Sequence, residues 1–387
     1  VKPARCPEAG AAADPVRRSA YGILVLLAAS AAGQAQPAPN PSAPAMNVTA
    51  AIAPICARAK LPAMAAAIVT SEGLAASGVV GVRKAGTEVA ATLQDDWHLG
   101  SDTKAMTATL IGLLVDAGSL KFESTLAEVF PDLAASFPET VRGITVEQLL
   151  AHRAGLPPNA SWSALSAHGS LTDQRLEAVR VLGGTDLAAS PGTSFHYSNW
   201  GYVVLGAIAE RITGQSWEDL MRERVFKPLK MDPVGFGGTG TLGKIDQPWP
   251  HVNGEPRGSN GPLMDNPAVM APAGGMHCPI GEWAKFIANE LKGLRGQRSL
   301  LSKATFDRLH APAFGENYAG GWICVPRGWA EGIAYNHGGS NTMNYALAWL
   351  APNRDVAFLV CANDGNAAKP CDAAIGALLK LYASRTH

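Results

Sequence analysis

Trp97-His98-Leu99-Gly100-Ser101-Asp102-Thr103-Lys104 is the stretch on which the reading of this chain turns. It ends in Ser-x-x-Lys, and apolar residues at helix spacing follow at once. Met106, Leu110, Leu113, Leu114 and Ala117 recur on that period, and Gly118 stands where a C-terminal cap belongs. Ser101 is therefore expected at a helix N-terminus, with Lys104 one turn on and on the same face. A serine hydroxyl is a weak nucleophile until a neighbouring base takes its proton. Lys104 is a candidate for that base. The motif alone decides nothing, since a chain of this length holds about one Ser-x-x-Lys by chance. An N-cap serine beside a solvated lysine is the plain alternative.

The 387 residues suffice for one large domain or two moderate ones. Charged residues make up 17% and hydrophobic ones 47%, and the formal net charge is +0. No basic or acidic block marks the chain for nucleic acid or a membrane surface.

The start reads as an export signal. Arg17-Arg18 precede an apolar run from Tyr21 to Ala32, too short to span a bilayer. Gly33-Gln34-Ala35 offers small residues for cleavage after Ala35. Residues 1–35 are thus expected to be a signal peptide and 36–46 a Pro-rich linker. The location expected is the periplasm or the exterior, without a stable membrane anchor. Val16 is the expected translation start, which would leave residues 1–15 unmade. Five cysteines remain: Cys56, Cys278, Cys324, Cys361 and Cys371. An odd number leaves at least one thiol free, and Cys361 with Cys371 is the closest candidate pair.

From Asn47 the pattern predicts a helix to Lys60 with Pro54 inside it, then a hairpin over 64–70 and 75–82. Helical periodicity dominates from Ser101 to about residue 230, over 146–152, 171–182, 200–213 and 217–225. Met231 to Gly275 is dense in Gly, Pro and Asn and reads as a long irregular segment that shapes the acyl pocket. Helices are predicted over 280–294 and 303–310, strands over 320–325, 333–337, 345–350 and 356–362, and a closing helix over 367–384. The fold class is α/β in the α+β sense. One antiparallel sheet is built from both chain ends and flanked by helices, with a large, mainly helical insertion. The sheet part spans about 47–100 and 276–387, and the helical part about 101–275. Ser101 falls at their junction, where clefts form.

Two further segments carry chemistry. His196-Tyr197-Ser198-Asn199 lies between a Pro191-Gly192 turn and a helix. A tyrosine near a lysine loses its phenolic proton more easily than a free one. Tyr197 is thus a candidate base for Ser101, with Asn199 holding either a substrate carbonyl or Lys104. A helix cap by Ser198 or Asn199 is the structural alternative. Asn336-His337-Gly338-Gly339-Ser340-Asn341 ends a predicted strand. Gly338 and Gly339 clear the sheet edge so that substrate can lie against backbone, and the N–H of Ser340 can join that of Ser101 as an oxyanion hole. A plain Gly-rich turn is the alternative. His152-Arg153 reads as a structural corner. No His-x-His or His-Glu-x-x-His occurs, so no metal is expected, and no Gly-x-Ser-x-Gly elbow is present.

The order Ser-x-x-Lys, Tyr-x-Asn, His-Gly-Gly resembles the serine β-lactamase and penicillin-binding-protein superfamily. The nearest branch is the class C β-lactamase-like group, with its family VIII esterases and D-Ala peptidases. The resemblance extends to the segments around 152–157, Pro272-Ala273-Gly274-Gly275-Met276 and Gly320-Gly321-Trp322. It implies a β-lactamase/transpeptidase-like fold and an acyl-enzyme on Ser101. Lys104 and Tyr197 would share the base work, and no cofactor would be needed. Class C β-lactamases usually carry Lys-Thr-Gly where this chain has His337-Gly338-Gly339. A neutral histidine offers no permanent charge for a substrate carboxylate, and glycine offers no hydroxyl. Esters or small peptide-like amides are therefore the expected substrates. A β-lactamase or D-Ala-D-Ala carboxypeptidase comes next, and a penicillin-binding sensor without turnover last.

Overall fold

The computed structural model describes residues 46–384 apart from 168, 259 and 260. The expected export signal, and the Pro-rich linker up to residue 45, lie outside those residues. Eight strands make the main sheet: β1 (Met46–Asn47), β2 (Ala63–Thr70), β3 (Gly73–Gly81), β4 (Tyr318–Ala319), β5 (Trp322–Arg327), β6 (Gly332–Ser340), β7 (Tyr345–Ala351) and β8 (Val356–Ala362). Their spatial order is β1-β3-β2-β8-β7-β6-β5-β4. The two chain ends meet in mid-sheet, where Ala67 of β2 faces Leu359 of β8. Every pairing is antiparallel except that of β1 with β3, which is parallel and adds one edge to the expected arrangement.

The helices are α1 (Thr49–Ala59), α2 (Thr103–Asp116), α3 (Val146–Leu150), α4 (Leu171–Arg180), α5 (Asn199–Thr213), α6 (Ile280–Leu294), α7 (Lys303–Leu309) and α8 (Ala368–Ala383), with shorter turns between them. Alternation along the central strands feeds two cores. Ala65, Ala67, Leu359 and Cys361 join the core of α2, α5 and α6. Met64, Ala66, Phe358 and Val360 join that of α1 and α8. β2 and β8 are buried on both faces, so their sequences run apolar rather than alternating. Pro54 does not end α1. It lies on the exposed side, where the carbonyl of Ala50, left without its N–H partner, meets water.

The candidate bridge between Cys361 and Cys371 does not form, and all five cysteines in this region are free and buried. Cys361 enters the α2-side core and Cys371 the α8-side core, so the sheet separates them. The segment from Met231 to Gly275 is less irregular than expected. Gly235–Phe236 pairs with Met276–Cys278, which also pairs with Trp97–His98. This small sheet anchors the chain just ahead of Ser101. The Gly-Gly pair also sits inside a strand rather than after one. β6 runs on to Ser340 because Gly338, Gly339 and Ser340 stay paired with Leu347, Ala346 and Tyr345. The pairing with β5 stops at Asn336, which leaves the far end of β6 open on that side.

Candidate active site

α2 is buried nearly all round from Thr103 to Leu114. A helix with that pattern is a core helix, in which a charged residue is costly unless the site uses it. Lys104 is fully buried in its first turn. Its Nζ lies 3.1 Å from Ser101 Oγ, 2.8 Å from Asn199 Oδ1 and 2.6 Å from the carbonyl of Ala273. Burial pulls its pKa down to about 7, against the opposing influence of Asp102. Asp102 is buried too, and neither carboxyl oxygen has a hydrogen-bond partner among the described residues. Burial pushes its pKa well above the ordinary range. In both groups desolvation outweighs the mutual attraction, which favours a neutral amine beside a neutral carboxyl.

The nucleophile turn is pressed against β6. Gly100 has φ +51°, and a Cβ there would run into the backbone of Ser340. A Cβ on Gly339 would overlap the Leu99 carbonyl and come within 2.8 Å of Ser101 N. The absence of those two side chains lets the amides of Ser101 and Ser340 approach each other. Gly339 therefore faces the nucleophile turn, and Gly338 is the glycine that lines the cleft. Thr103 fastens the turn by donating to the Gly100 carbonyl at 2.7 Å and accepting from Met276 N–H at 3.2 Å. Behind it, His98 Nδ1 accepts from Gly100 N–H at 3.1 Å, and its Nε2 lies 2.8 Å from Asp265 Oδ1.

Tyr197 and Asn199 arrive at the start of α5. Ser198 is the cap, accepting from Gly201 N–H at 3.1 Å. This frees Asn199, whose side chain holds Lys104 through Oδ1 and donates through Nδ2 to Asn159 at 3.0 Å. Lys104 Nζ sits 4.8 Å from the centre of the Tyr197 ring. The phenol is not made more acidic, contrary to the sequence-based expectation. Burial raises its pKa well above the usual tyrosine value, only partly offset by the Ser101 hydroxyl. Tyr197 is thus held as a protonated phenol. His152 is more than a corner. Its Nδ1 accepts from Ser198 N–H at 3.1 Å, and its ring lies 4.3 Å from that of Tyr197. It is buried and held neutral, chiefly by desolvation. His337 is neutral as well, its pKa lowered by burial to about 3, and its Nε2 is 3.4 Å from Tyr318 Oη.

Ser101 opens into two arms. One is a cavity of about 520 Å³ with aromatic and aliphatic walls from Phe195, Tyr197, Tyr318 and Ile323. The other, of about 340 Å³, presents the amides of Asn159, Asn199 and Asn266. Neither lining includes an arginine or lysine. Every site residue expected from sequence borders this cleft or touches a residue that does. Asp102, Tyr318, Asn159 and Asn266 were missed. The two asparagines lie in irregular segments, and neither they nor Tyr318 sit in a motif that the sequence reading could use. Among the described residues no group of three or more His, Cys, Asp or Glu side chains is placed to hold a metal ion.

A family model described as Beta-lactamase matches residues 48–381. Penicillin-binding protein 4 of Amycolatopsis lactamdurans is 29% identical over 74% of this chain and 76% of its own length. A penicillin-binding protein homologue from Pyrococcus abyssi superposes with a TM-score of 0.69 at 22% identity, over 86% of this chain and 76% of that one. The D-alanine carboxypeptidase AmpC from Burkholderia cenocepacia also gives a TM-score of 0.69, at 19% identity, over 86% of this chain and 97% of its own.

Proposed function

The chain belongs to the Beta-lactamase family, and from that premise we propose that it is a serine hydrolase that forms an acyl-enzyme on Ser101 and cleaves carboxylic esters or small peptide-like amides. The observation that carries this reading is a buried Lys104 amine, 3.1 Å from Ser101 Oγ, with its pKa brought to about 7. At neutral pH much of it is free amine and can take a proton.

Lys104 removes the hydroxyl proton as Ser101 Oγ attacks the substrate carbonyl. The carbonyl electron pair moves onto oxygen, where the N–H groups of Ser101 and Ser340 receive it. Tyr197, a protonated phenol, donates to the departing alcohol or amine and is reprotonated from the Lys104 ammonium. Water then attacks the acyl group with Lys104 taking its proton, and as the Ser101 Oγ–acyl bond breaks the Lys104 ammonium, 3.1 Å away, returns that proton to Oγ and the acid leaves. Asn199 and Ala273 keep Nζ on Ser101, and His152 keeps the Tyr197 ring in place.

A lining without an arginine or lysine favours neutral substrates over those that end in a carboxylate. The three amides of the smaller arm favour a second reading, an acyl group that itself bears an amide, as in a D-Ala-D-Ala peptide or a β-lactam. Turnover of p-nitrophenyl acetate, nitrocefin and a D-Ala-D-Ala peptide separates the two, and an acylation burst without steady turnover would indicate a sensor. Ser101→Ala is expected to abolish turnover and the covalent adduct seen by mass spectrometry. Full activity in that variant would overturn the assignment. The pattern of residues 17–35 supports export to the periplasm or beyond. Among the described residues no helix is long and apolar enough to cross a membrane.

A further inference from the structure

A second cavity, of about 410 Å³, opens beside the aromatic arm of the cleft. The two share Glu316 and Asn317 in their linings, so the second continues the first across a saddle. Its walls are Leu294, Phe306, Pro312, Ile333 and Tyr335. Ile333 is 42% exposed, one of few large hydrophobic side chains among the described residues left so open. The acidic groups at the cavity are already matched. Asp307 pairs with Lys303, and Glu316 pairs with Arg153 at 2.8 Å. Apolar area, rather than charge, is what the cavity offers a ligand.

The floor is built and rigid. His310 is buried, with Nδ1 2.9 Å from the Phe306 carbonyl and Nε2 2.8 Å from Glu290 Oε2. Trp322 Nε1 donates to the same carboxylate oxygen at 3.1 Å. The His310 ring stacks on Phe306 with centroids 4.0 Å apart. A ligand meets a surface that needs little ordering, which preserves binding energy. Direction follows from the proton donor. Tyr197 lines the aromatic arm, so the group it protonates departs on that side, towards the saddle.

We propose that this second cavity is a subsite for the leaving group, selecting substrates whose alcohol or amine portion carries a long aliphatic or aromatic tail. The tail passes Asn317, whose amide can hydrogen-bond a polar link, and ends against Phe306 and Ile333. The subsite rests on the serine-hydrolase reading, and its test is arranged so that the two fail separately.

The test compares methyl acetate, octyl acetate and methyl octanoate on the wild-type chain, on Ile333→Asp and on Ala311→Trp. The first substitution charges the exposed rim and the second fills the cavity, with both positions outside the catalytic machinery. The expected result is a kcat/KM at least tenfold higher for octyl than for methyl acetate in the wild type. That preference should shrink by at least fivefold in both variants, while methyl acetate and methyl octanoate stay within twofold. Equal loss on all three esters, or loss confined to the long acyl chain, would overturn the subsite. A readout independent of turnover is the binding of 1-octanol to Ser101→Ala protein by calorimetry. Binding should vanish when Ala311→Trp is added. Octanol binding that survives the filled cavity, or none at all, would also overturn it. Ester turnover that survives Ser101→Ala would instead overturn the reading beneath it.

Discussion

The two faces of the central sheet have the same strands and opposite chemistry. The face under α1 and α8 is covered by side chains such as Ile52, Ile55, Ala374 and Leu378, and neither helix buries a charged side chain there. The face under α2 and α5 buries Asp102, Lys104, His152 and His337. Burying such groups is costly unless they are paired or neutralised. Here they are moved towards neutrality, with the lysine and histidine pKa values lowered and the aspartate raised, burial being the leading cause in each. The comparison teaches that the buried charged groups of the proposed site lie on one side of the sheet, while the clusters under α1 and α8 are apolar.

The largest effect should come from Lys104→Met. It replaces the proposed base with an apolar side chain of similar length and leaves no buried amine to solvate. Turnover should fall by about 10³-fold, within the range of general-base contributions, while the melting temperature holds or rises. A loss under tenfold would break the division of labour between the faces. Next come the two adjacent glycines. Gly339→Ala places a methyl against the Leu99 carbonyl and Ser101 N, and should cost about 10²-fold in kcat by displacing the nucleophile. Gly338→Ala meets the movable Tyr345 hydroxyl at 2.5 Å and should stay within about threefold. Similar kcat values for the two would remove the case that Gly339 sets the oxyanion geometry.

How much of this was legible depended on whether a signal was local. Val356–Ala362 and Ile280–Leu294 were readable to the residue because an apolar run and a helical period are local patterns. Ser101 and Lys104 were readable because four residues of helix fix their distance. The extension of β6 to Ser340 was not, since it depends on pairing with Tyr345–Leu347. Nor was the state of Tyr197. Nearness to Lys104 could be guessed, but Tyr197 is buried against His152, Tyr318 and His337, all far from it in sequence. Asp102 had no role in the sequence reading, and it lies buried against Gly339.

The pH profile sharpens the comparison further. A base with its pKa at about 7 must lose a proton to work, so kcat/KM should rise about tenfold per unit below that value and level off above it. Neither His337 nor His152 adds a step between pH 5 and 8, because His337 is lowered to about 3 and His152 lies well below its usual value. A limb near 6.5 that disappears in His337→Asn would assign the titration to the histidine and break the lysine reading.

The smallest effect on turnover should come from the α1/α8 face, where the effect on stability should be large. Leu378 is fully buried in the cluster that holds Met64, Phe358 and Val360. Leu378→Ala should cost ~2–5 kcal/mol in urea unfolding, while kcat/KM, measured where the variant is still folded, should stay within twofold. The reason lies in the strands themselves. Phe358 and Val360 point to Leu378, whereas Leu359 and Cys361 point to the α2 side, so a cavity on one face leaves rigid backbone between it and Ser101. Adding Lys104→Met should therefore leave the cost of Leu378→Ala unchanged within about 0.5 kcal/mol. A larger coupling would mean that the sheet transmits packing from one face to the other.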